Sequence, residues 1–404
     1  MSIQTSPPAE RPIASAVRVE DKPALSTSRP RSLLRNLVGV AARPGVLSFG
    51  GGLPASELLP TEEYGRALVA ALQDPTSLQY RPPYEPLIEH IVQIMKRRGV
   101  DCSADQVLVT SGAQQGIQIL AELLLRTGGS VLLEETTYTG IGCAIAPFAP
   151  RIHTVPSSIA TGLDPNDVES RLASGLEPSF LYLVPDSANP SGTTLSSERR
   201  QALAGLARQR RLPILEDDPY GFLTYDGEPL APIKSYEDDW VFYLGSFSKV
   251  ISPALRLGWM VVSPETRAQA EIVKDALDLE SSALTQRAVA RYLDDNDLFE
   301  RIERLNQTYR RRRDAMLEAL DRHFPPEAQW SKPRGGFFVW VELPPGTDTR
   351  KLLDRAVSEE SLAFVPGQAF AVGASQADNC LRLSFSATSC EQIADGIQRL
   401  ASLL

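Results

Sequence analysis

The stretch Val241-Phe-Tyr-Leu-Gly-Ser246-Phe-Ser-Lys249-Val-Ile-Ser-Pro-Ala-Leu-Arg256-Leu-Gly258 runs an apolar strand into a turn that carries two hydroxyls and a lysine, with an arginine seven residues further on. In α/β proteins such strand ends converge on the crevice where ligands bind. An amine and a guanidinium in one crevice suit a cofactor that bears both an aldehyde and a phosphate. A lone Ser-x-Ser-Lys also fits an ordinary surface lysine, so the weight falls on what surrounds it.

Outward from this stretch the pattern alternates. Helix-type segments such as TEEYGRALVAALQ and GAQQGIQILAELLLR are followed by short apolar runs, SVLLEE, FLYLVP, LPILEDD and LGWMVVS. Buried strands alternating with helices predict an α/β fold with a mostly parallel sheet covered on both faces. Residues 263–322 carry helix periodicity and contain the run Tyr309-Arg-Arg-Arg-Arg-Asp314, which reads as a solvated helix face. PRGGFFVWVEL, SLAFVPG and CLRLSFS then read as strands of a smaller α+β unit. Residues 1–28 mix Pro, Ser and charge without periodicity and read as a flexible arm, too short to be a winged-helix domain.

Composition narrows the function. A chain of 404 residues, 43% hydrophobic and 23% charged, has the balance of a globular protein, and no apolar run approaches the ~20 residues of a membrane span. A net charge of -9 gives no support for nucleic-acid binding. The four cysteines and three histidines have no metal-ligand spacing, so no metal is expected, and a polar N-terminus points to the cytoplasm.

Four further motifs bear on the lysine. Ser111-Gly-Ala113-Gln114-Gln-Gly116 follows the strand-like QVLVT and opens a helix, which is the form of a phosphate cradle and also of a plain tight turn. Tyr138 stands just past SVLLEE, where its ring could stack on a planar heterocycle or simply pack. Asn189-Pro-Ser-Gly192 follows FLYLVP, and its amide could address a phenolic oxygen, though the motif also makes an ordinary turn. Glu216-Asp217-Asp218-Pro-Tyr220 ends LPIL. An inward carboxylate there could hold a protonated ring nitrogen, while the triplet alone would equally suit a metal or solvent.

Together these motifs resemble the fold-type I pyridoxal-phosphate aminotransferases of class I/II, nearest the 2-aminoadipate and kynurenine aminotransferases and the transaminase half of MocR-type proteins. The likeness runs from about Arg35 to Leu404. SFSK with its downstream arginine carries it, together with Ser48-Phe-Gly-Gly-Gly52-Leu-Pro and Cys380-Leu-Arg382-Leu-Ser-Phe-Ser. It implies a large, mostly parallel seven-stranded domain over 61–300 and a smaller α+β domain over 301–404 that 29–60 joins.

The same resemblance implies the roles. Lys249 would be the Schiff-base lysine and general base, Asp217 would bind the pyridine nitrogen, and Asn189 and Tyr220 would address the phenolic oxygen. Tyr138 would stack on the ring. Ser111, Ala113, Gln114, Ser246, Ser248 and Arg256 would hold the phosphate, joined by Tyr80 from the other subunit of a homodimer. Arg382 would clamp the substrate α-carboxylate near Gly52 and Asn189, and Arg35 would bind a side-chain carboxylate or else decorate a surface helix. The implied reaction moves the amino group of an L-α-amino acid to a 2-oxo acid such as 2-oxoglutarate.

Three features depart from the family pattern. Tyr80-Arg-Pro-Pro-Tyr84-Glu-Pro-Leu-Ile88 is about two residues short in a segment expected to line the pocket, Thr136-Thr137 stands where Asp-Pro is usual, and Asp186 where Asn is usual. They leave open another pyridoxal-phosphate reaction, such as that of a decarboxylase or an amino-acid oxidase. A MocR-like regulator without its DNA-binding half and a cofactor-free binding protein are the remaining alternatives.

Overall fold

The runs that read as buried strands form one sheet. In the computed structural model, which describes residues 45–373 and 376–404, the first strand is β1 (Leu47–Ser48). It is followed by β2 (Val107–Thr110), β3 (Ser130–Glu134), β4 (Arg151–Val155), β5 (Leu181–Leu183), β6 (Ile214–Asp218), β7 (Val241–Ser246) and β8 (Gly258–Val261). Strands β2 to β8 make a seven-stranded sheet in the order β2-β8-β7-β6-β5-β3-β4, with β8 antiparallel to both neighbours and the others parallel. The central strands are buried along their whole length, as expected where helices cover both faces. β4 is the exception. It closes an edge, begins with exposed Arg151 and Ile152, and so lacks the apolar run that announces the others.

The smaller unit is an antiparallel sheet of β9 (Gln329–Trp330), β10 (Phe338–Glu342), β12 (Val365–Pro366) and β13 (Cys380–Ser384), in the order β9-β10-β13-β12. SLAFVPG is not one strand. It breaks at Phe364, and its first half, β11 (Leu362–Ala363), pairs in parallel with β1, so the chain just before Gly50 is stitched to the C-terminal part of the molecule.

A 26-residue helix over Leu298–His323 connects the two units. Its Arg301 donates to Val250 O at 2.8 Å and to Leu58 O at 2.7 Å, tying the turn after Lys249 to the N-terminal segment. Only half of the arginine run on this helix is the solvated face that its charge suggests: Arg310 and Arg311 are exposed. Arg312 and Arg313 are buried, and they pair with Glu57 and Asp226 while bonding the Ser386 and Pro333 carbonyls. Helical phase explains it, since they share the inward stripe with Tyr309 and Met316, and only their partners offset the cost of burying charge.

Candidate active site

The C-terminal ends of β5, β6 and β7 open onto a cavity of about 610 Å³ whose opposite wall comes from β1, β10 and β13. Lys249 reaches it from the turn after β7, and its Nζ donates to Gly52 O at 3.0 Å. Arg382 reaches it from β13. Its Nη1 donates to Asn189 Oδ1 and its Nη2 to Gly50 O, both at 2.6 Å, and the guanidinium lies between Phe338 and Phe370 at 4.1 and 4.7 Å from the ring centroids. Neither Arg382 nor Arg256 has a carboxylate partner among the described residues, although most arginines around them are paired. One cavity therefore holds two cations available to anions, with an amine in its wall.

The phosphate end follows from backbone geometry. Gly112 has φ +87°, and a Cβ there would stand 2.6 Å from Nη2 of Arg256, so this turn requires glycine both for its conformation and for the arginine it meets. The turn opens the helix Ala113–Leu124, whose first two N–H groups, at Ala113 and Gln114, find no acceptor among the described residues. Free N–H groups, the helix dipole and Arg256 together make an anion site. Gln114 contributes here only its backbone, because its side chain accepts from Tyr138 Oη (3.2 Å) and donates to Gly140 O (2.9 Å), holding Tyr138 at the cavity.

Two expected phosphate ligands stand elsewhere. Ser111 points its hydroxyl away to Asp278 (2.8 Å) and does not line the cavity, while its carbonyl accepts from Arg256. Ser246 sits behind Ser248, to which its hydroxyl donates at 2.9 Å, and Ser248 alone meets the cavity. Tyr80 is not in this cavity either. It is 78% exposed and borders a separate hollow of about 490 Å³ with Arg81, Pro83, Lys274 and Leu279. The short segment 80–88 therefore does not line the cavity of its own chain: Arg81 N donates to Glu280 and Tyr84 N to Gln286. Arg35 and the arm over 1–28 lie outside the described residues.

The acidic triplet divides by strand alternation. Asp217 turns to the cavity, while Asp218 on the opposite face accepts from Arg98 at 2.9 and 3.1 Å and from Tyr243 at 2.9 Å. Arg98 also pairs with Asp186, which Arg200 grips through both oxygens at 2.7 and 2.9 Å. Burial pushes the Asp186 carboxyl up, but the two arginines outweigh it and hold the group below its usual range. The Asp at this position thus sits in a closed ionic cluster away from the cavity. Sequence reading missed Arg98 and Arg200, as it missed Tyr182, whose hydroxyl donates to Asp217 Oδ2 at 2.7 Å.

Asp217 Oδ1 is buried and has no hydrogen-bond partner among the described residues. An orphaned carboxylate oxygen at a cavity wall calls for a donor from a ligand, and the N–H of a protonated pyridine is one. The Asn189 amide nitrogen and the Tyr220 hydroxyl at the same wall also lack partners among the described residues, leaving two donors for an oxygen. The residues fit pyridoxal phosphate at phosphate, ring nitrogen and phenolic oxygen.

The comparisons with known proteins agree. The profile of aminotransferase class I and II matches residues 47–400. The chain belongs to that family. This aminotransferase is 38% identical to the 2-aminoadipate transaminase of Thermus thermophilus, over 92% of its own length and 94% of the relative's. It is 34% identical to aromatic-amino-acid aminotransferase 1 of Thermococcus litoralis, over 92% and 91%. It superposes with a TM-score of 0.85 on the crystal structure of the α-aminoadipate aminotransferase from Thermus thermophilus in complex with N-(5'-phosphopyridoxyl)-L-leucine, at 36% identity and covering 93% and 94% of the two chains. The fold is fold-type I, the cofactor is pyridoxal phosphate and the enzyme is a transaminase, which sets aside the decarboxylase and oxidase readings.

Electrostatics suit the aminotransferase's task. Burial, with Arg256 and Arg382 nearby, brings the Lys249 amine down to about 8, and Asp217 opposes the shift. Burial likewise raises Asp217 to about 7, against the Tyr182 hydrogen bond, and lowers Arg382 to about 10. A lysine that loses its proton at this pH is a usable base, whereas an ordinary one titrates at about 10.4. In the cofactor-free protein, acylation of Lys249 by an amine-directed reagent should rise with pH through a midpoint near 8, read by peptide mass spectrometry. A midpoint shared with surface lysines would contradict it.

Proposed function

We propose that Lys249 anchors the cofactor through its amine and moves the proton at the substrate α-carbon, while Arg382 takes the α-carboxylate in a bidentate grip. Pyridoxal phosphate, when bound, supplies an electron sink for negative charge at that carbon. Asp217 keeps the ring nitrogen protonated, Asn189 and Tyr220 hold the phenolic oxygen, and Tyr138 lies along the ring. Arg256, Ser248 and the N–H groups of Ala113 and Gln114 bind the phosphate. With the carboxylate on Arg382, the α-carbon comes within reach of Lys249, and the buried apolar wall of Ile117, Val184 and Phe338 keeps water away from it on that side. The observation that carries this reading is one cavity with two arginines lacking carboxylate partners, a lysine in its wall and an orphaned Asp217 oxygen. Purified enzyme given a panel of amino acids and 2-oxoglutarate should form oxo acid without peroxide or carbon dioxide; either by-product in stoichiometric yield would overturn it.

We further propose a homodimer in which Tyr80 completes the partner's phosphate site. Its support is the exposure of Tyr80 beside Leu78 (68%) and Leu279 (62%), an apolar surface that a second copy would cover. Mixing Lys249→Ala and Tyr80→Ala chains should then regenerate activity, because each heterodimer holds one intact site and one doubly damaged site. Heterodimers confirmed by mass spectrometry but inactive would put Tyr80 in its own chain's site, and a Tyr80→Ala enzyme as active as the parent would put it in none. The free thiols fit a reducing compartment, and we place the enzyme in the cytoplasm.

A further inference from the structure

Tyr182 stands in the middle of β5, fully enclosed, and the roles assigned so far make no use of it. β5 and β6 are parallel with Tyr182 opposite Leu215, so its side chain shares a sheet face with Asp217, two residues along the neighbouring strand. The phenol donates to Asp217 Oδ2 at 2.7 Å, and Oδ1 is left without a partner among the described residues. One oxygen is fixed by the fold and the other is offered to the ligand.

The remaining groups that act on Asp217 cannot take over this task. Lys249, from the turn after β7, donates to Gly52 O and acts on Asp217 only through its charge, making no hydrogen bond to it. Asp218, its neighbour on β6, adds negative charge, which favours a protonated Asp217. Tyr138, from the segment after β3, is bonded to Gln114, and Tyr220 makes no hydrogen bond to Asp217. A hydrogen bond donated to a carboxylate favours its ionised form, and burial favours the neutral one. Burial and the nearby carboxylate also keep the Tyr182 phenol protonated, so its O–H remains available to donate to Asp217.

We propose that Tyr182 is the positioning residue of Asp217: its hydroxyl aims Oδ1 at the pyridine nitrogen and keeps the carboxylate ionised, so that the shared proton stays on the ring. This rests on the assignment of Asp217 to the ring nitrogen. The competing account is a core tyrosine that needs an acceptor and has found one, with no effect on the ring.

Tyr182→Phe keeps the ring and removes the donor. In holoenzyme loaded with pyridoxal phosphate isotopically labelled at the ring nitrogen, the NMR resonance of that nitrogen is expected to move toward its neutral-pyridine position. kcat should fall roughly tenfold, the scale of one hydrogen bond to a charged group, with KM for the amino acid unchanged. In an Asp217→Asn background the same substitution should change neither quantity, because it acts through Asp217. A resonance moved by Asp217→Asn but unmoved by Tyr182→Phe overturns the inference and leaves Asp217 in its role. A resonance unmoved by Asp217→Asn overturns that assignment, and this inference with it. Should the phenylalanine variant fail to fold, 4-aminophenylalanine at position 182 retains both ring and donor; it is expected to keep the wild-type resonance, and the neutral position would overturn the proposal.

Discussion

Lys249→Ala is expected to reduce turnover to background while leaving a protein that still takes up pyridoxal phosphate, now reversibly. The contacts that would hold the cofactor come from separate elements: the N–H groups of Ala113 and Gln114 from a helix start, Arg256 from the turn before β8, Asp217 from β6 and Tyr138 from the segment after β3. None depends on the lysine side chain, whose hydrogen bond among the described residues goes to the Gly52 carbonyl. Chemistry, by contrast, loses both its anchor and the group that moves the α-proton, and no other amine lines the cavity among the described residues. Equilibrium dialysis should show cofactor bound, and gel filtration should strip it from the variant but not from the parent. Substantial transaminase activity in Lys249→Ala would sink the assignment.

Asp217→Asn and Asp218→Asn are expected to fail in different ways, although the residues are adjacent. An amide at 217 can still meet the ring nitrogen but carries no charge to keep it protonated. The interaction matters most as negative charge grows on the substrate, so kcat should fall on the order of 10²-fold or more. Removing the charge at 218 leaves Arg98 without one of its two carboxylates inside the protein. Breaking a buried pair costs about 3–5 kcal/mol of stability, while the folded fraction should retain most of its kcat. Chemical denaturation and steady-state kinetics on both variants read the two effects separately. A harmless Asp217→Asn beside a catalytically ruinous Asp218→Asn would invert the assignment.

Much of this architecture is legible in the residues, for a physical reason. Strands covered on both faces are mostly apolar, so β3, β5, β7, β8 and the start of β6 show as runs, and ligand-facing groups cluster at or just past their C-terminal ends. The edge strand Arg151–Val155, half solvated, gives no such signal, and a two-residue pairing such as Leu47–Ser48 with Leu362–Ala363 is too short to leave one. Buried charge is the harder case. Arg98 follows Arg97 and Arg200 follows Arg199, and nothing in either pair tells which arginine turns inward. The answer depends on carboxylates far along the chain, at 186 and 218. Tyr182 is obscured differently: in an aliphatic strand it reads as core, and only the register of β5 on β6 brings its hydroxyl to Asp217. Phe338 likewise meets Arg382 only once β10 and β13 are paired, and Phe370, from the segment after β12, reaches the same guanidinium.

The short glycine segment beside β1 acts as a surrogate ligand. Arg382 leans on the carbonyl of Gly50 and Lys249 on that of Gly52, so two of the cavity's cations are lodged against one tripeptide. A carboxylate reaching Arg382 competes with the first carbonyl, and whatever engages the Lys249 amine competes with the second. Each arrival is an exchange of partners, and the affinity measured is the difference between two bonded arrangements, well short of the strength of either. Because both carbonyls belong to the same few ångströms of backbone, moored on one side by the β1–β11 pairing, the two exchanges share a mechanical link. The carboxylate site and the amine site thus draw on one run of three glycines for the partners they displace.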